Sequence, residues 1–536
     1  MSSNGVDRAF ERRLAGLINS RERHVLRGGL KGVEKESLRV TPDGRLAQTP
    51  HPASMGSALT NEIITTDYSE ALIELVTPTF TESWALLQYL CDLHQFVYRH
   101  LGEELLWATS MPCHVESDAS IPIARFGASN IGRMKEVYRE GLGHRYGRIM
   151  QAISGVHFNY SFPQGFWPVL ADLSEVRIAD QAFISDRYFA LLRNYRRYGW
   201  LVLYLFGNSP MLCKSFLQGR EHTLKELTPG TLYEPYATSL RMSDLGYRNK
   251  NQAGVEISVN GLQEYLRDLS KAIAIPSPEY ERIGVKVNGP NGVEYRQLNA
   301  NLLQIENEYY SFIRPKRVAN LGERPTQALA RAGVQYVEVR ALDVSAFDPV
   351  GVNQHKLRFV EAFLALCVLK NSNAIDANEQ EVLDRNHAIV AHRGREPGLN
   401  LVREGKAVSL QSWGLELIDE MRGLCELLDA GARDRPYAAA LEAQEAKLHD
   451  LALTPAARTL KELQNTGESF SAFALRMSQV HKSYFLDLYP PNEQQLAEFR
   501  RQAEASLERQ AEIERADELS FDQYLTQYLA PQKNAG

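Results

Sequence analysis

The segment GVEKESLRV, residues 32–40, sets two carboxylates two residues apart, at Glu34 and Glu36. A strand puts alternate side chains on one face, so an extended chain here aims both acids the same way. Two ionised carboxylates a few ångströms apart repel, and burial raises the cost of each unless a counter-charge is present. A hard divalent cation, Mg2+ or Mn2+, is the usual compensation, because both prefer oxygen ligands. A solvated strand edge accommodates an isolated E-x-E equally well. The decision therefore rests on the other segments.

Four of them repeat the alternation of a greasy side and a chemically loaded one. In VHFNY, residues 156–160, His157 and Asn159 share a parity opposite the apolar residues. In YVEVRA, residues 336–341, Glu338 and Arg340 alternate with Val337, Val339 and Ala341. In LQIENE, residues 303–308, a strand would bring Gln304, Glu306 and Glu308 together, and residues 64–74 add Asp67 and Glu74 to an otherwise apolar strand pair. The wet side of an ordinary antiparallel sheet mixes Lys, Thr, Ser and Glu. Here acids recur with His, Asn, Gln and Arg, the inventory for holding metals and phosphates. A sheet curved around such a face forms an acidic funnel for more than one cation, and those cations would attract a triphosphate.

Strand-like patterns fall at 32–40, 63–67, 71–77, 154–162, 284–287, 293–298, 303–308 and 334–344. The turn-forming run Asn288-Gly289-Pro290-Asn291-Gly292 makes 284–298 a hairpin. Helical periodicity covers 83–102, 186–206, 259–273, 353–369 and 410–428. The expected fold class is α+β: a large, curved, mostly antiparallel sheet surrounded by helices. Residues 1–370 are expected to form a catalytic sheet-and-helix core. From 371 the chain turns helical and charged, so 371–536 is expected to be a helical buttress packed on that core, not an independent domain.

A net charge of −6 over 536 residues, with no basic tract, provides no field to draw nucleic acid. The five cysteines, Cys91, Cys113, Cys213, Cys367 and Cys425, are widely spaced without a C-x-x-C pair. Reduced, buried, non-catalytic thiols are expected. The N-terminus has no apolar signal region, and the apolar run 199–206 is too short to span a bilayer. A cytoplasmic monomer without membrane contact is the expectation.

The standard phosphate-binding loops are missing from the sequence: neither G-x-x-x-x-G-K-[ST] nor a strand-to-helix G-x-G-x-x-G occurs. Phosphate would have to be held by metals and arginines, as in ligases built on a glutamine-synthetase-like antiparallel sheet. The runs GVEKESLRV, GSALTNEIITTDYSEALIELVTP, YREGLGHRYG, ISGVHFNYS, PYATSLRMSDLGY, LQIENEYYSFIRPKR and QYVEVRALDV, in that order, resemble the proteobacterial type of glutamate–cysteine ligase. The resemblance covers roughly residues 32–349 and weakens in the helical last third.

This resemblance implies ATP-dependent joining of the γ-carboxylate of L-glutamate to the amine of L-cysteine, the first step of glutathione synthesis, with Mg2+, or Mn2+ as the alternative. It places metal ligands at Glu34, Glu36, Asp67, Glu74 and Glu338, and His157 near the ATP phosphates. It puts the cysteine pocket at Tyr138, Leu142, Gln151, Arg241, Tyr247 and Tyr310. Arg139 and Arg340 match arginines for the glutamate carboxylate and the transferred phosphate, so that Arg340, His157 and Glu338 form the catalytic group. Arg314 is a further anion contact. Taken alone, Tyr138, Tyr247, Tyr310 and Leu142 read as packing residues, and Arg241 as a structural ion pair with Asp244. Rival readings are the same chemistry with another amine acceptor, a non-catalytic regulator binding nucleotide or amino acid, and a purely structural protein.

Overall fold

Alternation of period two dictates the centre of the molecule. The computed structural model describes residues 7–20, 23–246, 255–289, 292–320 and 322–530. β1 (Leu30–Val40), β2 (Ile64–Thr66), β3 (Leu72–Val76), β4 (Leu105–Leu106) and β5 (Val156–Ser161) come first along the chain. A separate small sheet follows, of β6 (Met211–Cys213), β7 (Lys225–Thr228) and β8 (Thr231–Tyr233), and then the hairpin of β9 (Lys286–Gly289) and β10 (Gly292–Tyr295). β11 (Ile313–Lys316) and β12 (Tyr336–Leu342) return to the first sheet, and β13 (Asn400–Arg403) and β14 (Lys406–Ser409) make a last hairpin.

The main sheet has seven strands in the order β11-β12-β5-β1-β3-β2, with β4 added to β1, and its pairings are antiparallel. Val33, Ile73, Leu75, Phe158, Tyr160, Val337 and Val339 point to one side and join a large core cluster. Each such side chain removed from water contributes about 1.5–3 kcal/mol. The helices Ser83–Tyr98, Gln181–Tyr198 and Gln354–Leu369 supply the other half of this core through residues such as Leu93, Leu192 and Phe363. Two lysines of β1 share the apolar side. Lys31 pairs with Glu361 of the Gln354–Leu369 helix at 3.0 Å, both about 1% exposed. Lys35 has its Nζ 3.0 Å from Nε2 of buried His94, and burial presses its ammonium down to about 7.

The expected strands and helices recur within a few residues of their predicted bounds, with two exceptions. Helical periodicity over 186–206 is divided at Gly199 into Gln181–Tyr198 and Trp200–Phe206. The expected strand 303–308 is a turn ending in a short 3-10 helix, Glu306–Glu308. There the Glu308 carboxylate accepts the Gln304 N–H at 2.6 Å, which closes the turn, and takes hydrogen bonds from Arg145 at 3.0 Å and Tyr146 at 2.7 Å. Thr326 donates to Glu306 at 2.6 Å. These acids are therefore spent on local structure. The 284–298 hairpin exists but stands apart from the main sheet, and Pro290 and Asn291 of its turn lie outside the described residues.

The expectation of reduced thiols fails for one pair: Cys113 and Cys213 are joined by a disulfide. They are 100 residues apart in sequence, and the chain after β4 and the end of β6 meet only because both pack into the second core cluster with Trp107, Met111 and Leu212. Cys91, Cys367 and Cys425 are free, and burial raises the Cys91 thiol to about 11 and the Cys425 thiol to about 12. No helix among the described residues is long and apolar enough to cross a membrane.

Candidate active site

The opposite face of the sheet gathers the charged residues. Register sets Glu34 of β1 across from His157 of β5, Glu36 across from Glu74 of β3, and Asn159 of β5 across from Glu338 of β12. Arg314 of β11 lies across from Glu338 on its other side. Directly opposed residues on neighbouring strands share a face and lie about 4.5–5.5 Å apart at Cβ. Residues as far apart in sequence as Glu34 and Glu338 are thereby brought into one cluster.

Hydrogen bonds lock the cluster. His157 Nδ1 is 3.1 Å from Glu34 Oε2, and its Nε2 is 3.7 Å from Glu36 Oε1. Asn159 donates to Glu34 Oε1 at 2.9 Å, and its own Oδ1 is buried without a partner among the described residues. The Gly155 N–H donates to Glu36 Oε2 at 2.6 Å. Glu338 is 2% exposed and pairs with Arg340 at 3.2 Å and Lys316 at 3.4 Å.

The charges are unevenly compensated. Burial works to raise Glu338, but Lys316, Arg340, His157 and Arg314 together hold it well below the usual carboxylate range. For Glu34 burial is likewise outweighed, here by the His157 hydrogen bond, and the carboxyl is lowered. Burial pushes Glu36 up. Glu74 is held well above its ordinary value by burial and by the charges of Glu34, Asp67, Glu36 and Glu338, and it makes no hydrogen bond or ion pair among the described residues. One ligand atom each from Glu34, Glu74 and His157 lie within 4.8 Å of one another. An orphaned carboxylate beside a second carboxylate and an imidazole fits a hard divalent cation.

Asp67 sits in the turn between β2 and β3; its carbonyl accepts from Arg139 Nε at 2.5 Å, and its charge acts on Glu36 and Glu74. Tyr138, Arg139 and Leu142 ride on the helix Asn130–Tyr146. Leu142 packs in the second core cluster, and Gln151 lies in the short 3-10 helix Ile149–Ala152. The Tyr310 hydroxyl is 3.3 Å from Met242 Sδ, and the Arg340 guanidinium is 5.8 Å from the centre of its ring. Arg241 does not pair with Asp244. It is buried against Asp343 at 3.5 Å and donates to the Arg340 carbonyl at 3.1 Å, while Asp244 meets His392 at 2.8 Å. Gly155 makes room for this arginine, since a Cβ there would lie 2.0 Å from Arg241 Nη2. Tyr247 lies outside the described residues.

Two cations were not singled out by the sequence. Lys316 ends β11, a strand hidden by Pro315, which is tolerated because β11 is an edge strand. Lys135 stands one helical turn before Arg139; burial and Arg139 press its ammonium down to about 8 against the pull of Glu74. Its i, i+4 spacing to Arg139 was the available signal.

The profile of the glutamate–cysteine ligase family matches residues 14–390. The glutamate–cysteine ligase of Alcanivorax borkumensis is 48% identical over 523 residues, 97% of this chain and 99% of its own. That of Pseudomonas putida is 50% identical over 506 residues, 94% of this chain and 95% of its own. The chain belongs to the glutamate–cysteine ligase family. The crystal structure of a glutamate–cysteine ligase from Francisella tularensis in complex with AMP superposes with a TM-score of 0.87 at 37% identity, covering 94% of this chain and 97% of that one. A bifunctional glutathione synthetase from Pasteurella multocida shares the fold, with a TM-score of 0.68 at 23% identity over 88% of this chain and 55% of that one.

Proposed function

We propose that the charged face of the main sheet is the catalytic centre of an ATP-dependent ligase that joins the γ-carboxylate of L-glutamate to the amine of L-cysteine. The observation that carries this reading is the convergence of Glu34, Glu36, Glu74, His157 and Glu338 from four strands onto one face, in a chain of this family. The sheet curves about these residues as a funnel of the glutamine-synthetase kind, and the 371–536 helices serve as its buttress.

Glu34, Glu74 and His157 would hold one Mg2+, with Glu36, Asp67 and Glu338 completing the acidic surround. When bound, the ion supplies positive charge to phosphate oxygens. The protein's own groups do the rest. Arg139, anchored on the Asp67 carbonyl, binds the glutamate substrate. A γ-carboxylate oxygen attacks the γ-phosphorus of ATP in line, ADP leaves, and an acyl phosphate forms. Arg340, fixed by Glu338, directs donors at the oxygens where charge develops. The cysteine amine, held near Tyr138, Leu142, Gln151, Arg241, Tyr247 and Tyr310, attacks the acyl carbon and phosphate departs. A carboxylate of the cluster takes the amine's proton. Glu36→Gln and Glu338→Gln should each lower phosphate release dependent on glutamate and cysteine by about 100-fold or more with the fold intact by circular dichroism. Full turnover in either variant would remove that residue from the centre. Mass analysis of the product with cysteine, 2-aminobutyrate, ammonia or a polyamine present identifies the acceptor.

A further inference from the structure

The helix Asn130–Tyr146 carries Tyr138, Arg139 and Leu142, yet its start is held by residues far beyond the family profile, which ends at 390. An α-helix leaves its first N–H groups unpaired and its N-terminus partly positive. Ser129 satisfies one of these groups by accepting from Gly132 N at 3.2 Å. The Asn130 N–H donates to the carboxylate of Asp517, the Asn130 side chain donates to the Leu519 carbonyl at 2.9 Å, and the Ala128 N–H donates to Glu514 at 2.8 Å. Glu514 comes within reach because residue 127 is a glycine at φ +83°; a Cβ there would lie 2.3 Å from the Glu514 carboxylate. The next helix, Phe521–Leu529, lays Phe521 and Leu525 on Met134 and Val137, and Phe521 sits 4.4 Å beneath the Arg133 guanidinium. The loop held by Glu514 also presents Phe126, whose ring centre is 4.4 Å from the Arg139 guanidinium and 5.0 Å from Lys135 Nζ.

We propose that residues 514–529 set the position of the Asn130–Tyr146 helix for amino-acid substrate binding, with Asp517 and Phe521 as positioning residues acting through Arg139 and Tyr138. The inference rests on the reading of that helix as the substrate helix. A direct path runs from Glu514 through the 126–128 loop to Arg139, and a second runs from Phe521 through Val137 to Tyr138. The link to the carboxylate face is the single Arg139 bond to the Asp67 carbonyl, so the larger effect falls on amino-acid binding and the smaller on ATP.

The test is steady-state kinetics on the full chain for Asp517→Ala, Asp517→Asn, Phe521→Leu and Arg139→Lys, with melting temperatures measured alongside. Asp517→Ala and Phe521→Leu should raise KM for glutamate about 5- to 10-fold, the scale of a lost helix cap, and leave KM for ATP within about twofold. Asp517→Asn, which keeps an acceptor for the Asn130 N–H, should restore the glutamate KM. An unchanged glutamate KM in Asp517→Ala and Phe521→Leu, when Arg139→Lys raises it, overturns the positioning role. Equal rises in all KM values with a lowered melting temperature overturn it as well, since that is general loosening. An unchanged glutamate KM in Arg139→Lys instead overturns the substrate-helix reading beneath it. Phe521→Leu keeps the question open to decision if Asp517→Ala does not fold.

Discussion

Glu74 is the residue whose replacement should separate the needs of folding from those of catalysis. One ligand atom of Glu74 lies within 4.8 Å of one of Glu34. Two unit charges at that separation in an effective dielectric of about 20 repel by about 3.5 kcal/mol, which sets the scale of what Glu74→Gln can recover without a cation. Unfolding entropy of about 2.1 cal/mol/K per residue gives this 536-residue chain about 1.1 kcal/mol per kelvin near its midpoint. In EDTA the variant should therefore melt about 1–3 °C above the wild type. Magnesium at one hundred times its dissociation constant stabilises the wild type by about 2.7 kcal/mol, or about 2–3 °C, and that gain should shrink or vanish in Glu74→Gln together with turnover. The pH dependence has a definite sign. Because the folded protein raises this carboxyl, the stability it contributes is present below the ordinary carboxylate range and is lost as pH rises through the elevated value. Wild-type melting in EDTA should thus fall with rising pH over that window, and Glu74→Gln should flatten the slope. Differential scanning calorimetry with EDTA and with a magnesium series reads all three. A variant that melts no higher than wild type in EDTA, yet keeps the full magnesium shift, would refute the argument.

Opening the Cys113–Cys213 bond by Cys113→Ala, or by reductant in the unfolded state, should cost about 2–4 kcal/mol, the usual range for a disulfide and below the ~4.7 kcal/mol that chain entropy alone assigns to a loop of about 100 residues; thermal melts should drop by about 2–4 °C while turnover at 25 °C holds. His392 bridges Glu234 and Asp244 at 2.8 Å each, and although burial opposes it, these carboxylates raise the imidazole above its ordinary value. Its contribution should be complete below about pH 6.5 and lost as pH rises through the elevated value, so the melting difference between wild type and His392→Gln should be largest in mild acid and disappear in alkali.

The four strands that carry the site were legible because their period-two alternation is enforced by burial on one side and chemistry on the other. Register alone then fixed which acids meet. β11 escaped notice because it is four residues long with Pro315 inside it. The same alternation misled at Gln304, Glu306 and Glu308, where a carboxylate reaching a backbone N–H made a turn that period counting does not distinguish from a strand. The helix Asn130–Tyr146 was obscured by Gly132, Gly141 and Gly143, residues that weaken a helix but here admit close neighbours: a Cβ at Gly141 would lie 2.2 Å from Gln304, and one at Gly143 would lie 2.7 Å from the Tyr68 hydroxyl. The partners of Arg241, Asp244 and Cys113 depend on long-range folding, which local spacing does not report.

Glu34 and Glu36, which flank the buried Lys35 on β1, also guard the folding of the strand. A slip of one residue against either neighbour would drive Glu34 and Glu36 into grease. Misaligned arrangements of the central strand are thereby penalised at both glutamates, so this pair also proofreads the sheet as it assembles.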